Sequence, residues 1–173
     1  RNTINAMDRW GDNNGSSTWY SACARVGYDP KVILTKLRHE WDTRSMQNLV
    51  LHYGGGGLEN CGTFGAITEM LMQSHEGVIR LFPCWPKDRD ARFGTLRAYG
   101  AFLVSADLKN GIVSNVSIIS KKGDPCVVIN PWPNKKVVLI RNGKVVDTIM
   151  GERLYFKTSL NEKIELKPDH QVI

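Results

Sequence analysis

The sequence contains no window approaching the roughly 18 consecutive apolar residues of a membrane-spanning helix. Its longest uncharged apolar runs are short pieces such as Ala101 to Ala106 and Val137 to Ile140. No membrane partner is therefore expected. It also lacks a Cys-x-x-Cys pair: Cys23, Cys61, Cys84 and Cys126 are spaced 38, 23 and 42 residues apart, which argues against a zinc site and against a disulfide framework. Isolated buried thiols are the simpler reading, and no metal or other cofactor is expected. The start, Arg1-Asn2-Thr3-Ile4, has no initiator Met and no signal-peptide pattern, so the chain reads as a piece of a longer polypeptide. The compartment is left open: periplasmic or secreted if the parent carries a leader, cytoplasmic otherwise. Arginine-rich runs and basic stripes interleaved with aromatics are missing too, and no nucleic-acid partner is expected.

What is present is ordinary globular composition over 173 residues, 42% hydrophobic and 23% charged, with a net charge of +6. That charge is unevenly placed. Residues 1–76 hold 7 Lys and Arg against 8 Asp and Glu, a net of −1, whereas residues 77–173 hold 16 against 9, a net of +7. The basic excess is dispersed over turns (Lys121-Lys122, Lys135-Lys136, Arg141, Lys144), as on a solvated strand surface that resists aggregation.

The first half has helical periodicity. Asp29-Pro30 is a helix start, the Asp side chain accepting from free amides and Pro fitting the first turn. Val32, Ile33, Leu34, Leu37 and Trp41 then form an apolar stripe opposite Lys31, Lys36, Arg38 and Glu40, predicting a helix over about 30–42. A second is expected from about Phe64 to Ser74 with Thr63 as cap, ended by His75-Glu76-Gly77, and shorter pieces around Ile4–Trp10 and Trp19–Val26. Between these helices runs Gly54 to Gly57, four successive glycines with no packing purpose. It lacks the Lys-Ser/Thr of a phosphate loop and the spacing of a dinucleotide fingerprint, so nucleotide binding is not expected.

The second half switches to β-branched residues with period two. Eight strands are expected, at 78–82, 101–108, 112–119, 126–129, 137–141, 144–149, 154–157 and 163–166. Asn110-Gly111 and Asn142-Gly143 mark two-residue hairpin turns, because Asn and Gly tolerate the positive φ angles these need. The expected fold class is α+β: the end of a helical domain over residues 1–76, then an antiparallel β-sandwich over 77–173. The helical part is too short to close a core alone.

Ser74-His75-Glu76-Gly77-Val78-Ile79-Arg80-Leu81-Phe82-Pro83 and Leu96-Arg97-Ala98-Tyr99-Gly100-Ala101-Phe102-Leu103-Val104 resemble the passage joining the helical and C-terminal β-domains of glycoside hydrolase family 95. Thr18 to Asp29 and the pair Asn48-Leu49 extend the resemblance upstream. It implies an α-L-fucosidase or α-L-galactosidase built as an N-terminal β-domain, an α/α toroid and a C-terminal β-domain, of which this chain is the last portion. The implied partners are a carbohydrate and the remainder of the parent polypeptide.

In the family an Asp, followed by Gly-Asn-Phe-Gly and helping to activate the hydrolytic water, lies eleven residues after that asparagine; counting from Asn48 lands on Glu59. The residue is Glu and is followed by Asn60-Cys61-Gly62-Thr63. The extra methylene shifts the carboxylate by about an ångström, enough to cost about a hundredfold in rate. The general acid is implied to lie outside the chain, which alone is expected to be inactive. Read from chemistry alone, the loop over 52–62 clusters groups suited to sugars: Glu59 as candidate catalytic carboxylate, with His52, Tyr53 and Asn60 as candidate substrate-binding residues. Glu59 could equally cap the following helix or be solvated. The competing readings are a non-catalytic carbohydrate-binding module, for which Tyr99, Tyr155 and Trp132 would form an aromatic platform, and a structural accessory domain.

Overall fold

The computed structural model describes residues 2–7, 10, 16–48, 51 and 58–169, with the backbone alone at 16, 17, 58–61 and 63. The described chain is α+β and divides into two compact units, residues 1–71 with 82–86, and residues 72–81 with 87–173. The chain thus leaves the helical unit after Leu71 and returns to it for five residues, from Phe82 to Pro86.

The helical unit consists of α1 (Asn2–Met7), α2 (Ser16–Arg25), α3 (Pro30–Arg44) and α4 (Leu58–Leu71). Helix α3 starts where the sequence places it, with the Asp29 carboxylate accepting from the Lys31 and Val32 amides and Pro30 in the first turn. Its inward face differs from the expected stripe. Ile33, Leu37 and Glu40 are the buried positions, and Trp41 is only half-buried. The spacing i, i+4, i+7 carries Glu40 round to the apolar side, and Arg44, one turn on, meets its carboxylate at 3.0 Å. A 4%-exposed carboxylate is tolerable only with such a partner. Helix α4 packs on α2, where Tyr20, Cys23, Ala24, Ala66 and Met70 join one core with Trp10, Ile33, Leu37 and Cys84. The Trp10 ring lies 5.4 Å from Tyr20 and 5.6 Å from Tyr28, and the Tyr20 hydroxyl donates to the Trp10 carbonyl at 2.8 Å. At the rim, the Arg25 guanidinium donates to both Glu69 carboxylate oxygens.

Helix α4 begins six residues before the expected start and stops three residues short of the expected end. Residues 58–62 of the expected glycine-rich loop are therefore helical. The early end has a tertiary cause: β1 (Met72–Gln73) pairs antiparallel with β2 (Arg80–Leu81) across a short 3-10 turn at His75–Gly77. Within that turn Glu76 takes φ 61, a left-handed conformation, next to Gly77 at φ 70.

The second unit is built on a six-stranded antiparallel sheet in the order β3-β4-β5-β10-β7-β8, formed by β3 (Ala91–Ala98), β4 (Phe102–Lys109), β5 (Ile112–Ser120), β7 (Val137–Arg141), β8 (Lys144–Ile149) and β10 (Lys163–Pro168). A second layer pairs β6 (Cys126–Ile129) with β9 (Arg153–Phe156). Alternate residues face inward, as period two requires: Phe102, Val104, Ala106 and Leu108 from β4, Val116 and Ile118 from β5, Ile164 and Leu166 from β10, and Cys126, Val128, Leu154 and Phe156 from the smaller layer. Both Asn-Gly pairs turn hairpins with positive φ, 50 and 73 at Asn110-Gly111 and 47 and 81 at Asn142-Gly143. Gly100, at φ 80 in the β3–β4 turn, has a second reason to be glycine: a Cβ there would lie 2.8 Å from the Phe102 ring.

Strand β3 is absent from the sequence-based expectation. Its run Ala91-Arg92-Phe93-Gly94-Thr95-Leu96-Arg97-Ala98 mixes apolar residues with two Arg, Gly and Thr, and a bulge between Phe93 and Leu96, with Thr95 at φ 55, breaks its alternation. An edge strand built this way resists pairing with another chain, and the same features hide it in a one-dimensional reading.

At one end of the sandwich Arg141 on β7 meets Glu162 at 2.6 Å, and the Ser159 amide donates to the same carboxylate oxygen at 2.9 Å. Burial disfavours the charged form, but the Arg141 hydrogen bond, the Ser159 amide and the Arg141 charge outweigh it and hold the Glu162 carboxyl below its ordinary 4.5. A carboxyl depressed in the folded state stabilises above its unfolded pKa, and that contribution is lost as pH falls through the folded value. Glu162→Gln is therefore expected to cost about 2 kcal/mol at neutral pH. The gap to the parent chain should close as pH drops below 4.5, measured by urea unfolding across pH 3 to 7. A gap independent of pH would show that the carboxylate charge contributes nothing.

Candidate functional site

The sequence concentrates candidate chemistry on the segment leading into α4. His52, Tyr53 and Gly54 to Gly57 lie outside the described residues. Glu59 and Asn60 fall in the first turn of α4, which opens at Leu58 directly after the glycines. A carboxylate at that place in a helix is favoured by the unsatisfied amides and the positive end of the helix dipole. The same field would stabilise a negatively charged base. The helix behind it is anchored by burial of Ala66 and Met70, both 0% exposed, and by the Arg25–Glu69 ion pair.

His75 opens the 3-10 turn, and its carbonyl accepts from Arg80 Nη1 at 3.3 Å; Arg80 also meets Glu76 at 3.0 Å. These contacts fix the turn. Among the described residues no group of three His, Cys, Asp or Glu could hold a metal ion, and no helix is long and apolar enough to cross a membrane. Cys23, Cys84 and Cys126 are buried, and Cys84 Sγ donates to the Tyr28 carbonyl at 3.4 Å. Burial pushes the Cys126 thiol up to about 12, and burial together with the neighbouring Cys84 pushes Cys23 up to about 11, so neither is a nucleophile at neutral pH.

The aromatic platform that the carbohydrate-binding reading would need on the β-unit does not form. Trp132 is 6% exposed, with its indole N–H donating to the Val113 carbonyl at 2.9 Å. Pro131 and Pro133 turn the chain so that the indole closes the sandwich end instead of facing solvent. Tyr99 and Tyr155 are exposed, but on different elements: Tyr99 sits in the β3–β4 turn, its amide donating to Ser74 Oγ at 3.0 Å, and Tyr155 lies on β9 opposite Val127.

The role of Asn130 is not legible in the sequence. It is 6% exposed and spends its whole side chain on backbone: Nδ2 donates to the Lys135 carbonyl at 3.0 Å and the Gly151 carbonyl at 3.1 Å, and Oδ1 accepts from the Trp132 amide at 3.0 Å. One amide side chain ties two loops some twenty residues apart. The only prior signal is an Asn directly before Pro-Trp-Pro, which by itself reads as a turn.

Residues 73–166 match the family model described as glycoside hydrolase family 95, C-terminal domain. The chain belongs to glycoside hydrolase family 95. The matched segment runs from the second residue of β1 into β10 and so takes in nearly the whole sandwich. No curated protein matches the chain. In this family-95 chain the β-unit is the part carried by the match, and the first turn of α4 lies outside it.

Proposed function

We propose that the chain is the C-terminal portion of an α-L-fucosidase or α-L-galactosidase that hydrolyses its glycosidic bond with inversion. The helical unit supplies the last helices of an α/α toroid, over about residues 1–76, and the sandwich over 77–173 is the C-terminal β-domain. The observation that carries this reading is the family-95 match over residues 73–166. Glu59 takes a proton from a water as the water oxygen bonds to the anomeric carbon. On the opposite face the C–O bond to the aglycone breaks, and a carboxylic acid from outside the chain protonates the departing oxygen. Inversion leaves room for that water, with the two carboxyl groups roughly 6.5–9.5 Å apart. Support for Glu59 comes from its count from Asn48, its place in the first turn of α4 and the glycines before it. His52, Tyr53 and Asn60 would contact the sugar.

The test is hydrolysis of aryl α-L-fucosides, α-L-galactosides and other aryl glycosides by the parent protein and by the 173-residue chain. Activity in the parent alone, with product of inverted configuration by NMR, is the expected result. Activity in the isolated chain would place the acid within it and overturn the assignment.

A second reading has its own observation. Gly62-Thr63-Phe64-Gly65 follows Cys61 much as Gly-Asn-Phe-Gly follows the family's aspartate. In that register Cys61 stands at the catalytic carboxylate position, and the protein is a non-catalytic carbohydrate-binding or structural relative. An inactive parent that still binds glycans would favour it.

A further inference from the structure

At the end of the sandwich the loop following β6 and the β8–β9 turn enclose an open cleft of about 490 Å³. That volume lies within the ~300–1,000 Å³ of small-molecule sites. Its walls do not depend on a ligand for their shape. The buried Asn130 side chain binds both loops, and its backbone amide adds a bond to the Glu152 carbonyl at 2.8 Å. A cleft held open in this way costs little ordering when a ligand enters.

The lining has a consistent chemistry. Asn134, Lys135 and Glu152 face the cleft, and among the described residues none of their side chains forms a hydrogen bond or ion pair. Lys135 and Glu152 carry opposite charges yet do not meet, whereas Asp107, Asp124, Glu162 and Glu165 of this unit each lie within ion-pair distance of a cation. Ile129, Pro133 and Met150 supply the apolar remainder, Met150 being 68% exposed. The cleft therefore offers three donors on an ammonium, two acceptor oxygens on a carboxylate, one amide that does both, and an apolar wall, with no net charge. A phosphate or a polyanion would meet Glu152, and a polycation would meet Lys135. A neutral polyol satisfies both at once, its hydroxyls donating to Glu152 and accepting from Lys135 while its C–H face lies on Pro133 and Met150.

The geometry points to a second carbohydrate site on the β-unit, one that holds a neutral mono- or disaccharide between Lys135 and Glu152. The site catalyses nothing, and it stands whether or not Glu59 is the hydrolytic base. It would keep a polysaccharide close to the enzyme by adding a weak contact to the catalytic one.

The experiment is an NMR titration of the ¹⁵N-labelled 173-residue chain with L-fucose, D-galactose and lactose, with free glycine as a zwitterionic control. Expected are saturable shifts at the Asn134, Lys135, Gly151 and Glu152 amides for at least one sugar, with a dissociation constant on the order of 1 mM. Lys135→Ala and Glu152→Ala should each weaken binding about tenfold without moving the unfolding temperature, since neither side chain is bonded in the fold. Absence of saturable shifts at the cleft for every sugar would overturn the proposal. Glycine binding there as tightly as the best sugar would also overturn it, in favour of a zwitterion site. Because the readout is binding, failure of the hydrolase reading leaves these results unchanged.

Discussion

Trp132→Ala is expected to lower the stability of the β-unit by about 4 kcal/mol. Three losses act together. The indole is 6% exposed, so its apolar area returns to water and a cavity opens at the sandwich end. The Val113 carbonyl loses its donor. The Asn130 clamp, whose Oδ1 accepts from the Trp132 amide, loses the buried side chain of the residue it holds. For a unit near 100 residues this corresponds to a fall in melting temperature of about 20 °C. Trp132→Phe keeps most of the volume but removes the N–H donor, and should cost only about 1–2 kcal/mol. Urea unfolding followed by far-ultraviolet circular dichroism separates the two. A cost below about 1 kcal/mol for the alanine variant would mean that the sandwich end closes without the indole.

If Glu59 is the general base proposed above, Glu59→Gln in the parent protein is expected to lower kcat by about a hundredfold to ten-thousandfold with little change in KM, because the group would act only in the transition state. The acid limb of the rate–pH profile should vanish with it, since glutamine does not titrate. Glu69 lies on the same helix and is spent on Arg25 in a fold-supporting pair. Glu69→Gln should therefore cost stability while leaving kcat and the profile intact. Ordinary activity in Glu59→Gln would remove Glu59 from the mechanism. An inactive parent in which Cys61→Asp creates activity would instead favour the register that puts Cys61 in the carboxylate position.

Local chemistry was readable before any tertiary contact was known. Asp29-Pro30 caps and opens α3, and the two Asn-Gly pairs turn their hairpins, because each effect is completed within four residues. The alternation of β4, β5 and β10 likewise marked strands and their inward faces, and the residues from Ser74 to Val104 carried the family.

Other features depend on partners far along the chain. The early start of α4, through Gly62, goes against local propensity, and its body is held by packing against α2. Glu40 reads as a solvent-facing charge until Arg44 and the inward turn of α3 allow its burial. Strand β3 becomes a strand only through β4, and β10 inserts between β5 and β7, an order that no periodicity encodes. The same holds for Trp132, whose exposure depends on Val113, and for the cleft, whose walls are two loops joined by one buried asparagine. Capping, turn formation and face alternation are short-range and leave a pattern in sequence; burial and enclosure are set by which distant segments meet, and only the folded chain decides that.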